Sequence, residues 1–214
     1  MTGQDEFGTG RGAELLEPQI RSWTVPAPAT ALQISLTLHR QLDQKDRSTS
    51  GHCQRLSNYA LAMGEQLRLS ATELEALHIG GIVHDIGKLA VPDSILHKPA
   101  PLEAHEWAVM RLHPIVGERL CACVAALRPA LGIVRHHHER WDGSGYPDHL
   151  SGERIPLVAR IVQIVDVFDA LTSARPYKPA WSAAQALVTM QREAERGWLD
   201  QRLFREFARM MRVQ

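Results

Sequence analysis

The chain predicts an all-α fold, a single helical bundle with a metal site in its core, and three observations predict it. Apolar residues recur at steps of three and four along most of the chain. No stretch sustains the strict alternation of a half-buried strand. Histidines and aspartates also interrupt the most apolar runs, where a buried helix should stay apolar.

At 214 residues and 44% hydrophobic content, the chain builds one core of ordinary size and leaves no room for a second full domain. Residues 1–28 are rich in Gly, Pro and polar side chains and end at Pro26 and Pro28, so they read as a flexible N-terminal arm. The alternative for this arm is a short docking segment through Leu15, Leu16, Ile20 and Trp23. Residues 29–214 form the folded domain. Lys plus Arg balance Asp plus Glu at 24 each, which argues against DNA or a charged membrane surface as partner and requires any anionic ligand to be met locally. The first residues lack a basic start and an apolar core, and no later stretch is long and uncharged enough to span a bilayer, so a cytoplasmic location is expected. Three cysteines, Cys53, Cys121 and Cys123, suit a reducing compartment, with Cys121 and Cys123 read as small core residues rather than a metal pair.

Taken in order, Ala31, Ile34, Leu38 and Leu42 mark the first helix. A second runs from about Ser50 to Leu67, with Leu56, Ala60, Met63 and Leu67 on its apolar face. Ser70 and Glu73 form a capping box opening a third, which carries Leu74, Leu77, Ile82 and Val83, delivers His84-Asp85 near its far end and stops at Gly87 and Pro92. Further helices cover about Glu103–Leu112, Ile115–Ala126, Pro129–His138, Pro156–Ser173, Ser182–Arg196 and Gln201–Met211. Ser182 and Gln185 form another capping box, and Asp200 is an N-cap. The run Ala159 to Val165 is β-branched enough to be a strand as well as a helix.

The candidate ligands are His52, His84 with Asp85, His113, His137 with His138, and Asp166. His84-Asp85 follows the uncharged run Ile79 to Val83, and Asp166 sits between Val165 and Val167-Phe168. A buried, unpaired carboxylate costs several kcal/mol, and a metal ion is one of the few partners that offsets it. Neighbouring helical residues project about 100° apart, so His137 and His138 meet one centre only at a helix end or around more than one ion. Two ions about 3.5–4 Å apart, bridged by a carboxylate, form a clamp for attack on phosphodiesters, and Asp85 is the natural bridge. Lys88 lies just past the helix end, placed to hold a phosphoryl oxygen or to face solvent at a helix C-terminus. The turn Asp142-Gly143-Ser144-Gly145 is a weak signal taken alone.

The ordered set Asp46, Thr49, His52, Arg55; His84-Asp85-Ile86-Gly87-Lys88; His113-Pro114; His137-His138-Glu139-Arg140; Gly143-Ser144-Gly145-Tyr146-Pro147; and Asp166 through Arg175-Pro176-Tyr177-Lys178 resembles the HD-GYP subgroup of HD-domain phosphohydrolases over about residues 30–210. The resemblance implies a helical HD-type bundle with two or three metals, often iron or manganese. In active members that site hydrolyses cyclic di-GMP to the linear dinucleotide pGpG and then to GMP. It makes His52, His84, Asp85, His113, His137, His138 and Asp166 the metal ligands, with Asp85 bridging. It turns Lys88, Arg175 and Lys178 toward substrate phosphates and assigns Gly143, Tyr146 and Pro147 to the loop that shapes the pocket. His136 falls outside the register and is expected as an exposed helix histidine. Ser48 stands where three-metal members place a glutamate, so two metals are expected.

The expected function is a metal-dependent cyclic di-GMP phosphodiesterase in which Asp85 and Lys88 serve catalysis. One rival acts on another cyclic dinucleotide, such as cyclic GMP-AMP. The other is a catalytically silent module signalling through protein contacts, with a diguanylate cyclase as one partner the resemblance allows. A homodimer is compatible with either.

Overall fold

The computed structural model describes residues 30–46, 51–174 and 179–213. The N-terminal arm, Ser48, Arg175 and Lys178 lie outside the described residues. The helices are α1 (Ala31–Lys45), α2 (His52–Gln66), α3 (Ala71–Val83), α4 (Asp93–Leu96), α5 (Ala104–Met110), α6 (His113–Ala122), α7 (Leu131–His136), α8 (Leu157–Thr172), α9 (Ala183–Glu195) and α10 (Gln201–Val213). Short 3₁₀ turns cover Ile86–Ala90, Ala125–Ala130 and Gly152–Arg154. Among the described residues there is no strand, and no helix is long and apolar enough to cross a membrane.

Helix α3 is the hub. It is apolar on most sides, as a helix surrounded by others must be. Ala76 and Leu77 join a cluster with Leu56, Met63, Val165, Phe168, Met190 and Phe207. Ile79, Ile82 and Val83 join a second cluster with Ile34, Leu38, Leu42, Ile86, Leu127 and Val134. The two cores therefore meet along α3, and its C-terminus is delivered between them. Phe168 and Phe207 pack edge to face with centroids 5.1 Å apart, which clamps α10 onto α8.

The expected caps are present. Ser70 accepts from the Glu73 amide and Ser182 from the Gln185 amide, each with the reciprocal bond, while Asp200 accepts from the amides of Arg202 and Leu203. The segment Ala159 to Val165 is helical, within α8. Its β-branched residues are buried inside a long helix between two others, so tertiary packing decides against a strand. Between Ile115 and His138 the boundaries move. Helix α6 starts at His113 with Pro114 in its first turn, where a missing N–H costs nothing. The chain then passes through a 3₁₀ turn holding Pro129 before α7, because a proline disfavours α geometry at the residue before it. Helix α3 also stops earlier than expected, with His84 as its C-cap.

Candidate active site

Six of the seven candidate ligands sit at helix ends or in turns rather than mid-helix. His52 opens α2, His84 caps α3, Asp85 precedes the 3₁₀ turn, His113 opens α6, and His137 caps α7 with His138 beyond it. Asp166 alone is mid-helix, on α8. The 3₁₀ turn locks against α6 through Gly87, where a Cβ would lie 1.9 Å from the His113 carbonyl oxygen. Only glycine lets Asp85 and His113 come together this way.

The side chains converge in two adjoining groups. Asp85, His113, His137 and His138 each present a ligand atom, all within 4.8 Å of one another, and so do His52, His84 and Asp166. The groups touch where His84 Nε2 lies 3.4 Å from Asp85 Oδ2. The other oxygen, Asp85 Oδ1, faces His113 Nε2 at 3.3 Å and His137 Nε2 at 3.6 Å. Asp85 thus stands between the groups, with an oxygen toward each.

The hydrogen bonds at the backs of these imidazoles set their tautomers. His113 Nδ1 is 2.8 Å from the Met110 carbonyl, His137 Nδ1 is 3.0 Å from that of Val134, and His84 Nδ1 is 3.2 Å from that of Gly81. A carbonyl only accepts, so each Nδ1 carries a proton and it is Nε2 that each ring turns inward, where the neutral tautomer presents a lone pair. His52 Nδ1 is held likewise by the Asp169 carboxylate at 2.7 Å, leaving its Nε2 3.4 Å from Asp166 Oδ1. The consequence is a set of acceptors aimed at acceptors. His113 Nε2 and His137 Nε2 face one another at 3.4 Å, and the buried atoms His84 Nε2 and Asp85 Oδ1 have no hydrogen-bond partner. Such a cluster is expensive without a cation, and divalent metal ions fit it.

Charge at the site points the same way. Burial alone would raise the Asp85 carboxyl, but Lys88 and His84, with the His113 and His137 rings close to Oδ1, outweigh it and hold the carboxyl well below its usual range. Burial pushes His137 down to about 4 and, with the neighbouring His137 and His113, drives His138 well below the usual imidazole value. Both rings are therefore neutral, the form that binds metal. Lys88 Nζ is paired with Asp85 Oδ2 at 2.6 Å, and its side chain is 22% exposed at the mouth of the site.

The glycine loop closes one wall. A Cβ on Gly145 would lie 2.3 Å from the Arg140 amide nitrogen and 2.5 Å from Glu139 Cα, so the loop lies directly on the backbone that follows the histidine pair. Gly143 adopts φ +85°, and the Tyr146-Pro147 peptide is cis. Tyr146 stacks on His138, with ring centroids 4.8 Å apart.

Two carboxylates that support this arrangement were not anticipated. Asp169, 2% exposed, holds His52 from behind and is itself gripped by Arg55 Nε at 2.6 Å and Nη2 at 3.0 Å. Those bonds outweigh burial and bring its carboxyl down to about 2. Its spacing of three from Asp166 on one helix face was the available signal. Glu139, fully buried, accepts from the backbone amides of Asp148 and Leu150, which ties the glycine loop shut. Two other expectations are corrected. His136 is not an exposed helix histidine: its side chain is 15% exposed and packs 3.5 Å from Asp148, because the folded-back loop covers it. Cys121 is buried as expected, but Cys123 is exposed, since the helix ends there and turns it outward.

The sequence profile of the HD domain matches residues 37–203, a span that contains every candidate metal ligand. The chain belongs to the HD domain family. Its likeness to the HD-GYP subgroup agrees with its relatives. The chain is 46% identical over 76% of its length to the cyclic di-GMP phosphodiesterase response regulator RpfG of Xanthomonas campestris. It is 40% identical over 81% of its length to a cyclic di-GMP phosphodiesterase of Pseudomonas aeruginosa, and 39% identical over 73% to a 3'3'-cGAMP-specific phosphodiesterase of Vibrio cholerae. The matches cover 43%, 42% and 30% of those relatives, so the chain spans less than half of each. An HDG"Y"P protein from Bdellovibrio bacteriovorus shares the fold, with TM-score 0.60 at 18% identity over 75% of this chain and 51% of that one. A cyclic GMP-AMP-specific phosphodiesterase of Vibrio cholerae superposes with TM-score 0.54 at 27% identity, covering 86% of this chain and 41% of the other.

Proposed function

We propose that this HD domain is a metal-dependent phosphodiesterase that opens cyclic di-GMP to linear pGpG and acts in the cytoplasm. The observation that carries the reading is the ring of inward Nε2 lone pairs around Asp85, each fixed by a hydrogen bond at its back. In this reading Asp85, His113, His137 and His138 would hold one ion and His52, His84 and Asp166 a second, with Asp85 standing between the two groups. Nitrogen-rich donors with a bridging carboxylate suit iron or manganese. When bound, such ions supply Lewis acidity toward a phosphoryl oxygen and lower the pKa of water.

The remaining roles belong to the chain's own groups. Lys88, at the rim, exchanges part of its pairing with Asp85 for a non-bridging phosphoryl oxygen, where its charge opposes the charge that grows as the bond breaks. Arg175 and Lys178 are assigned, with Lys88, to substrate phosphates on the strength of the HD-GYP resemblance. Gly143, Tyr146 and Pro147 shape the wall beside His138, and the stacked Tyr146 keeps bulk water from that side.

Relatives named for 3'3'-cGAMP at 39%, 36% and 35% identity support a second reading, in which the substrate is cyclic GMP-AMP and the chemistry is unchanged. The test is to load protein purified without oxygen with iron or manganese, count bound metal, and follow each dinucleotide by chromatography. Linear pGpG formation that chelators abolish is the expected result. Turnover of cyclic GMP-AMP alone overturns the substrate, and no turnover of either with both ions bound favours a silent signalling module.

A further inference from the structure

Helix α5 has no buried residue, yet it runs through Arg111 and Leu112 directly into His113. Its start is closed by a capping box at Glu103 and Glu106, and Glu106 is paired with Lys98 at 2.6 Å. It displays Trp107 at 45% exposure, unusual for the largest apolar side chain. The Arg111 guanidinium lies 5.9 Å from the Trp107 ring centroid and 5.5 Å from that of Tyr146. Tyr146 in turn stacks on His138. A continuous column therefore leads outward from the ligand cluster: His138, Tyr146, Arg111, Trp107. Among the described residues Arg111 has no carboxylate partner and no side-chain hydrogen bond, so its fork of donors is free.

We propose that Trp107 and Arg111 form the nucleobase subsite of this centre, in which a purine stacks on Trp107 and Arg111 donates two hydrogen bonds to its Hoogsteen edge. This rests on the cyclic-dinucleotide reading above. With one phosphate at the metal cluster, the attached ribose carries its base outward along the wall that this column forms. An exposed indole gives a base a stacking face. Guanine offers two acceptors, O6 and N7, to an arginine fork, whereas adenine replaces one acceptor with an amino donor. The pair would therefore select guanine at that position, a property a bare metal centre lacks.

The test compares Arg111→Ala, Arg111→Lys and Trp107→Ala with the parent domain, all metal-loaded, on cyclic di-GMP, cyclic GMP-AMP and cyclic di-AMP. All three substitutions are at exposed positions, and bound metal should stay unchanged. Trp107→Ala should raise KM roughly tenfold with kcat little altered, the loss of one stacked base. Arg111→Ala should lower the preference for cyclic di-GMP over cyclic di-AMP by roughly tenfold or more. Arg111→Lys should lose that preference too, because an ammonium keeps the charge but not the fork. Preference and KM unchanged in Arg111→Ala, or preference retained by Arg111→Lys, overturns the subsite. So does a Trp107→Ala variant that changes only elution volume in size-exclusion chromatography, which would make the surface a protein contact. A parent domain inactive on all three substrates sinks the functional reading itself, an outcome distinct from an active parent whose preference the variants leave intact.

Discussion

The side chains that could be named from sequence are those whose chemistry is out of place, and Asp85 is the clearest case. It follows an apolar run and proves to be buried between two histidine groups. Asp169 escaped notice because nothing in a linear reading separates a carboxylate that would touch metal from one that holds a histidine from behind. Replacing Asp169 with Asn keeps the shape but removes the charge on His52 Nδ1 and leaves Arg55 unneutralised. Metal affinity of that variant should fall about 10–100-fold, read by competition with a chromophoric chelator; unchanged affinity would reduce Asp169 to a packing residue. Lys88→Ala should keep its metal and lose roughly 10²–10³ in kcat, the usual consequence of deleting one donor to developing charge. Steady-state kinetics at saturating substrate on the metal-loaded variant measures this directly.

Helix existence was legible from the three- and four-residue spacing of apolar positions, and helix starts from Ser70, Ser182 and Asp200. Helix ends were not, and they are what place the ligands. The chain from Ile115 to His138 looks like two long helices because its alanines and leucines suit any helical pitch. The 3₁₀ turn that holds Pro129 breaks it, and the second helix stops at its C-cap His137. The loop shows the same limit. Gly143 attracts attention as a turn residue, whereas the tightest approach belongs to Gly145. Gly145→Ala should therefore displace Tyr146 from His138 and cost far more activity than Gly143→Ala, whose positive φ carries a penalty of only about 1–2 kcal/mol. Melting temperatures and kcat/KM of the two variants check the order.

For the molecule as a whole, candidate ligands drawn from His52 to Asp166 make bound metal a cross-link between both cores. Chelation should lower Tm by several degrees, with recovery on adding metal back, as scanning calorimetry would show. The metal-free domain should also lose stability on mild acidification. His137 has a folded pKa of about 4 against an ordinary 6.5, so the unfolded chain binds its proton first. The stability this contributes is complete above about 6.5 and disappears as pH falls toward 4. His138 acts in the same sense, while His84, raised by Asp85 despite its burial, opposes them. A Tm that held steady from pH 7 to pH 5 in the stripped protein would contradict the neutral state assigned to His137 and His138.

Glu139 has one more consequence. Because its carboxylate binds the amides of Asp148 and Leu150 while Gln163 of α8 donates to its own carbonyl at 2.6 Å, the glycine loop is closed onto Glu139 and Glu139 is pinned to α8. A wall fastened in this way is part of the scaffold before any ligand arrives and cannot act as a gate. Encounter with substrate should then be a simple collision with a ready-made cleft. Transient kinetics should show no slow isomerisation after binding, and the Asp148 and Leu150 amides should exchange with deuterium at the same slow rate whether or not a dinucleotide is present.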